Sequence, residues 1–252
     1  MHDLLKILID PLAVLSYMYV GLWIWETVAP AKPLPKMKYW KLRGIAFFFF
    51  NFILASVVPL VVDHHLARYQ LLNLSTINPV LGAMLGVTIY QGILYFWHRA
   101  IHKHNTLWKF FHQMHHSPER LDIPSAFYTG PWDTIMFTMI GSVSFVLILG
   151  LSAKAATIGV LILTFLSLFQ HSNVKTPVWL GYFIQRPESH SLHHGRGIHR
   201  YNYSDFPIYD IIFGTFKNPK NHVKETGYYD GASSRVLDML AMKDVSKPKE
   251  SR

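Results

Sequence analysis

Long apolar runs separated by short polar segments dominate the chain. Residues 44–62, 77–97 and 134–153 each approach or reach the length of about 20 apolar residues that a membrane-spanning helix needs. A further run, residues 155–169, is separated from its predecessor only by Lys154. The last two runs therefore predict a helical hairpin, and the pattern as a whole predicts at least four membrane spans.

A shorter run near the N-terminus leaves the number of spans open. Residues 11–25 are apolar, rich in aromatic side chains, and lie between Asp10 and Glu26. The run is short for a span, so this helix either crosses the membrane or lies in its interface. The sequence therefore predicts an all-α integral-membrane helical bundle with four to five spans, forming one membrane-embedded domain over residues 1–252.

The positions of the basic residues predict on which side of the membrane the spans end. The net charge is +9, yet the basic residues flank apolar runs and form no interleaved basic and aromatic patch, so a nucleic-acid partner is not expected. The Lys-rich loop at residues 31–43 and the basic residues after the third run lie two crossings apart and hence on one side. By the positive-inside rule this side is cytoplasmic. These later basic residues are Arg99, Lys103, Lys109 and Arg120.

The two ends of the chain give weaker signals. The N-terminus shows no basic segment, short apolar core and small-residue cleavage site, so we expect no cleaved signal peptide. Residues 243–252 are polar and basic, and we expect a disordered tail there.

Histidines are concentrated in three clusters whose spacing suits metal binding. Residues four apart, or three and four apart, lie on one face of a helix, so each cluster can direct its imidazoles at one place. Two of the clusters follow the third apolar run, and the last apolar run returns the chain to the same predicted side before the third cluster begins. We therefore expect a cytoplasmic, histidine-rich helical cap on the membrane bundle. The clusters are His98 and His102; His112, His115 and His116; and His190, His193 and His194.

The first two clusters cannot share one small site if they lie on a single continuous helix. At about 1.5 Å per residue, such a helix would separate them by roughly 20–27 Å. The helix must therefore break between them. Asn105 and Thr106 supply the expected break and a new N-cap.

The number of histidines indicates two metal ions. Eight clustered histidines exceed what one ion can use, and the chain has no cysteine, which excludes thiolate-held zinc and iron–sulfur clusters. His171, at the end of the last apolar run, is a candidate ninth ligand, with a plain interfacial residue as the alternative. Imidazole ligands suit Zn, Cu, Fe and Ni alike, so residue type alone does not choose the metal.

Other polar residues near the clusters are candidates for the outer layer of the site. His104 and His199 lie close to clusters but off their spacing, and we expect them in the outer layer or at the surface. Carboxylates could orient metal ligands by hydrogen bonds or simply cap helices. Those near the clusters are Glu119, Asp122, Glu188, Asp205 and Asp210.

The clusters resemble the histidine boxes HxxxH, HxxHH and HxxHH of the fatty acid hydroxylase/sterol desaturase superfamily. The similarity extends over about residues 88–218, which we expect to be the catalytic region. The matching segments are His98-Arg-Ala-Ile-His102, His112-Gln-Met-His115-His116, His190-Ser-Leu-His193-His194 and Arg186-Pro187-Glu188. The resemblance implies two iron ions held by the eight box histidines, with His171 as a further ligand in those members that have it, and no catalytic residue beyond the ligands.

The resemblance also implies an activity. Members are integral-membrane non-haem di-iron oxidoreductases that use O2 to hydroxylate or desaturate lipids. An external electron donor (a cytochrome b5-like protein, a ferredoxin or a reductase) would be required, since no flavin, haem or nicotinamide motif is seen in the chain. A non-enzymatic protein that binds or transports divalent metal is the alternative, and a zinc-held scaffold remains a third; zinc could also occupy the sites on purification.

Overall fold

The computed structural model describes residues 10–248. Within that range the regular structure is helical, apart from an isolated bridge between Gly195 and Thr226. The predicted all-α class is confirmed. The helices are α1 (Pro11–Val28), α2 (Trp40–Leu66), α3 (Pro79–Lys103), α4 (Pro131–Ser142), α5 (Ala153–His171), α6 (Pro187–His193), α7 (Pro207–Ile212) and α8 (Val236–Leu240).

Local sequence explains where the long helices begin. The Asp10 side chain accepts a hydrogen bond from the Leu12 amide at 2.9 Å, and Asn78 accepts one from the Val80 amide at 3.0 Å. In both cases a proline follows at the first helical position, where its missing N–H costs no hydrogen bond. These caps fix the starts of α1 and α3.

Four helical segments are long and apolar enough to cross a membrane. They are Trp40–Tyr69, Pro79–Lys103, Pro131–Ile148 and Ala153–His171. Each contains one of the four apolar runs, in part or in full, and the third continues from α4 through a π-helical turn, Val143–Ile148. The predicted integral-membrane bundle is confirmed with four candidate spans.

Large apolar side chains cover the outside of these segments. Phe49, Leu60, Leu85 and Val160 are exposed. A water-soluble protein rarely exposes contiguous apolar surface on this scale, whereas a lipid bilayer solvates it. The exposed faces of the four segments are therefore the lipid-facing surface.

The connectivity brings the histidine-bearing ends together. At one end of the bundle, the Leu71 and Leu72 amides donate to the carbonyls of Leu147 and Ile148, at 2.7 and 3.1 Å. The C-terminal ends of α3 and α5 and the N-terminal ends of α2 and α4 consequently lie at the other end. The expected return of the chain through a helical hairpin is what places His171 there.

Helix α1 packs along the bundle but is not among the four candidate spans. Leu22 packs against Leu168 and Phe169 of α5. Near its C-terminal end, Glu26 accepts hydrogen bonds from the amides of Ile123 and Asn173, each at 3.1 Å. Helix α1 thus runs parallel to α5 and ends beside the histidine-bearing end of the bundle.

The expected break between the first two clusters is present, one residue earlier than predicted. Helix α3 ends at Lys103, and His104 adopts an extended conformation with φ −115° and ψ 110°. A short helical turn over Asn105–Leu107 and a π-helical turn over Trp108–His112 follow. The cap of the second piece is therefore His104, without a side-chain cap, in place of Asn105 or Thr106.

The C-terminal segment packs further along the chain than its composition indicates. Val245 is fully buried against Trp40, Met114 and Met239. The segment for which we expect a disordered tail, residues 243–252, thus contacts the bundle through Val245, while its neighbours up to residue 248 are exposed. Residues 249–252 lie outside the described residues.

Candidate metal centre

The structure brings all nine predicted histidines to one end of the bundle, in two groups. Within each group, one ring nitrogen from every histidine lies within 4.8 Å of the others. The five-histidine group combines members of all three sequence clusters, and the four-histidine group adds His171. The groups are His98, His102, His112, His116 and His193, and His115, His171, His190 and His194.

The ring nitrogens of the five-histidine group converge on one point. His98 Nε2 lies 2.9 Å from His112 Nε2, 3.2 Å from His102 Nε2 and 3.1 Å from His193 Nε2. His116 Nε2 is buried and has no hydrogen-bond partner among the described residues. Breaking the helix at His104 is what allows α3 and the following turns to meet there.

The positions of the ring protons determine whether the short Nε2–Nε2 contacts are hydrogen bonds or converging lone pairs. The Nδ1 atoms of His98, His102 and His193 lie 2.8, 2.7 and 2.7 Å from the backbone carbonyls of Tyr203, His199 and Tyr201. A carbonyl can only accept, so each Nδ1 carries the single N–H of a neutral imidazole. Each Nε2 therefore directs a lone pair at the others, an arrangement that needs a cation at its centre.

The spacing of the nitrogens fits a metal ion. Imidazole nitrogens bind transition metals at about 2.1 Å, so neighbouring ligands at right angles are about 3.0 Å apart. The Nε2 separations around His98 are 2.9–3.2 Å. The donor set therefore suits a metal in both chemistry and distance.

The four-histidine group has the same construction. His171 Nε2 lies 3.1 Å from His115 Nε2 and 3.0 Å from His190 Nε2, which in turn lies 3.0 Å from His194 Nε2. The Nδ1 atoms of His171 and His190 face the Ser167 carbonyl and the Gln185 side-chain oxygen, at 2.7 and 3.0 Å. This group therefore also presents converging lone pairs.

The two groups touch each other. The rings of His116 and His194, one from each group, stack with centroids 4.0 Å apart and an interplanar angle of 10°. His112 and His115 are also neighbours, with centroids 5.0 Å apart. Two ions held by the two groups would therefore be adjacent, the arrangement that two-metal chemistry requires.

Burial favours the neutral form of several clustered histidines. Desolvation lowers the pKa of His193 well below its usual value, and desolvation together with the neighbouring imidazoles does the same for the pKa of His116 and of His194. A neutral ring is the form that binds a metal. These imidazoles are therefore in the protonation state that binds a cation.

One backbone segment and one carboxylate support the five-histidine group. The segment is residues 199–203, whose carbonyls at His199, Tyr201 and Tyr203 accept from three clustered histidines. His199 Nδ1 also lies 3.1 Å from His116 Nδ1. The carboxylate is Asp133, at 2.7 Å from His112 Nδ1. His199 thus lies in the outer layer, as expected, while the exposed His104 has no such contact among the described residues.

Asp133 is not among the carboxylates predicted from the sequence, and the five that are predicted have other partners. In the described part of the chain, none of the five proposed carboxylates hydrogen-bonds a clustered histidine. Asp210 instead accepts from the Tyr203 and Ser204 amides and so supports the 199–203 segment. Asp133 directly precedes an apolar run, and a single acid in the first turn of a span was the available signal.

A cavity of about 500 Å³ lies beside the five-histidine group. Its lining includes His102, His199 and Trp108, together with the basic residues Lys103 and Arg196. The Trp108 ring lies 4.8 Å from the His102 ring, between centroids. The cavity therefore reaches a clustered histidine at the end of α3.

Comparison with known proteins supports the interpretation of the histidine clusters. Three relatives are a very-long-chain aldehyde decarbonylase of Oryza sativa subsp. japonica, a sphingolipid C4-hydroxylase of Schizosaccharomyces pombe and an ornithine lipid hydroxylase of Rhizobium tropici. They are 29%, 30% and 30% identical over 57%, 53% and 54% of this chain. The chain spans 25%, 46% and 42% of their lengths, respectively.

No solved structure matches the chain significantly. The fatty acid hydroxylase family model matches residues 83–215, which is more than half of the chain and contains all nine clustered histidines. The resemblance seen in the three histidine boxes is confirmed, and the chain belongs to the fatty acid hydroxylase family.

Proposed function

We propose that this chain is an O2-dependent, di-iron membrane oxidoreductase that hydroxylates or desaturates an unactivated C–H position of a lipid. The observation that carries the proposal is the division of nine buried or half-buried histidines into groups of five and four at one end of a membrane bundle. Membership of the fatty acid hydroxylase family and the names of the lipid hydroxylase relatives support it.

In this proposal each histidine group holds one iron. His98, His102, His112, His116 and His193 would bind the first ion, and His115, His171, His190 and His194 the second. Iron, when bound, supplies the reductive activation of O2 that oxidation of an unactivated carbon requires. The electrons come from a separate donor, a cytochrome b5-like protein, a ferredoxin or a reductase.

The protein's own contribution is to orient the ligands and to exclude water. The Phe137 ring lies 5.9 Å from the His112 ring and 6.4 Å from the His98 ring, between centroids. It packs against the buried cluster of Leu94 and Ile140 inside the bundle. This apolar wall would place a lipid chain beside the ions and keep bulk water from the reacting carbon.

We also propose the orientation and extent of the catalytic region. Residues 88–218 would form this region within a single domain, and the histidine groups would face the cytoplasm, in agreement with the basic residues Lys103 and Lys109 beside them.

The test is product analysis in cells that express the full chain. Lipids that gain one oxygen atom from isotopically labelled O2, or that lose two hydrogens, should appear only with the unaltered protein. The variants His115→Ala and His193→Ala should insert into the membrane normally and form no product. Unchanged product formation by both variants would remove the histidines from the reaction.

A further inference from the structure

Two short apolar segments near the histidine-bearing end of the bundle have outer faces that no other part of the described chain covers. One is the 3-10 turn Val178–Tyr182 with the residue after it, and the other is α7. Their large side chains are exposed, although neither segment belongs to the four candidate spans. We call the following set the apolar shelf: Trp179, Tyr182, Phe183, Ile208, Ile211 and Ile212.

The shelf is one surface. The turn Val178–Tyr182 contacts α7 directly. The Tyr182 ring also lies 5.6 Å from the ring of Phe216, which follows α7. Ile208, Ile211 and Ile212 have the i, i+3, i+4 spacing of a single helix face. All three are exposed, with Ile212 at 64%, whereas Asp210 on the other side of α7 is fully buried.

Charge is absent from the shelf. Residues 176–184 contain no Asp, Glu, Lys or Arg, and residues 206–216 contain only Asp210. The Asp210 carboxylate is satisfied internally, since it accepts from the Tyr203 and Ser204 amides and from Thr215 Oγ1. Tyr and Trp side chains are also typical of the membrane–water boundary.

Contacts with α3 fix the depth of the shelf. The Tyr209 hydroxyl donates to the Thr88 carbonyl at 2.7 Å, and Thr88 precedes His98 by about 15 Å along the helix. The Phe213 ring lies 5.1 Å from that of Phe96, which is exposed on the lipid-facing side of the span. Helix α7 therefore lies against a part of α3 that is itself within the candidate span.

We propose that the apolar shelf is inserted into the bilayer leaflet next to the histidine groups. The partner is a lipid surface, continuous with the lipid that surrounds α3. The end of the bundle would then be partly embedded, with α7 at the level of residues 88–96 and not suspended in water. This inference concerns the membrane contact alone and does not depend on the proposed reaction.

Insertion would also place lipid close to the five-histidine group. The Tyr95 ring stacks on Phe213 with centroids 5.0 Å apart and contacts Tyr203 at 6.1 Å. The Tyr203 ring in turn lies 5.6 Å from that of His98. Phe213, the residue after α7, is thus connected to the five-histidine group through Tyr95 and Tyr203.

Single spin labels measure the depth of the shelf directly. The chain contains no cysteine, so each single-cysteine variant carries one nitroxide. The variants are Ile208→Cys and Ile212→Cys on the shelf, Val160→Cys in α5 as the lipid reference, and Asp230→Cys as the water reference. Val160 is 52% exposed within a candidate span, and the Asp230 side chain is 92% exposed.

The full chain is placed in phosphatidylcholine nanodiscs at one copy per disc, and collisions with O2 and with a water-soluble nickel chelate are compared. We expect both shelf positions to have the high O2-to-nickel ratio of the Val160→Cys variant. A ratio equal to that of Asp230→Cys would overturn the inference. Shielding from both reagents would also overturn it, because it would indicate a protein partner or a rearranged segment.

Discussion

His112 and Asp133 form a buried pair in which His112 Nδ1 lies 2.7 Å from Asp133 Oδ2, with side-chain exposures of 1% and 0%. The Thr129 hydroxyl donates to the same carboxylate oxygen at 2.7 Å. A carboxylate on the outer nitrogen of a metal-bound imidazole fixes the ring and increases its basicity. Asp133 should therefore strengthen metal binding by the five-histidine group, although it touches no metal itself.

Replacing Asp133 tests this role. Asp133→Leu should weaken binding of one of the two ions by about 10–100-fold, the usual effect of losing such a partner. Asp133→Asn, which keeps an acceptor oxygen, should lose less. Competition with a chelator of known affinity measures the metal affinity of both variants. Asp230→Asn, which replaces an exposed carboxylate, is the control. Equal affinities in Asp133→Leu and the unaltered protein would contradict this role.

His199 should direct the protonation of His116. If His116 Nε2 faces the metal, its Nδ1 carries the proton and donates to His199 Nδ1, 3.1 Å away. His199→Gln retains an acceptor, whereas His199→Phe does not, and both keep the backbone carbonyl that accepts from His102. We expect His199→Phe to lose affinity for one ion by about 10–100-fold and His199→Gln to recover most of it.

The control for this pair is His104→Phe, at an exposed histidine close to the same helix end. It should bind both ions as the unaltered protein does. Equal loss in His199→Phe and His199→Gln would assign His199 a packing role only.

Gly44 should be intolerant of a side chain. A Cβ on Gly44 would overlap the Pro124 ring and approach the Pro124 carbonyl oxygen to 2.9 Å. Such overpacking destabilises by about 1–3 kcal/mol, so Gly44→Ala should unfold at a lower temperature in detergent. At Gly141, the described residues beyond the local helix backbone leave the space within 4 Å of an added Cβ open, so Gly141→Ala should instead gain about 0.5–1 kcal/mol from helix propensity. A stable Gly44→Ala protein would contradict this packing.

Glu26 should make stability depend on pH. Burial, followed by the Asp122 carboxylate, raises the pKa of Glu26 from 4.5 to about 7. Between these values the folded state holds a proton that the unfolded state releases, so stability falls as pH rises through this window. Glu26→Gln keeps an acceptor for the Ile123 and Asn173 amides and has no proton to lose.

The measurement is thermal unfolding in detergent at several pH values between 4.5 and 8. The stability of the unaltered protein relative to Glu26→Gln should fall across that range and level off above pH 7. Parallel curves for the two proteins would mean that Glu26 ionises normally.

The fold was predictable from the sequence because membrane spans and histidine spacing are local signals. Each of the four apolar runs falls within a candidate span, in part or in full. Adding His171 to the eight box histidines gives the complete two groups. These results depend only on composition, on the 3.6-residue period of a helix and on the number of crossings.

The support of the site was less predictable because it depends on contacts between distant residues. Tyr201 and Tyr203 contribute backbone carbonyls, which any residue type offers, so no side-chain pattern marks them. Tyr201 also adopts a φ value of 72°, which is unusual for a residue other than glycine or asparagine and carries no sequence signal here. Asp133 lies at the start of an apolar run, and nothing in the local sequence pairs it with His112.

The central claim is tested most directly by the metal content of the full chain purified in mild detergent, followed by O2 consumption after reduction. Iron and zinc are quantified per chain under iron-replete expression. We expect about two irons per chain, one for each histidine group, together with O2 uptake. Tightly held zinc, with no reaction with oxygen after iron reconstitution, would contradict it.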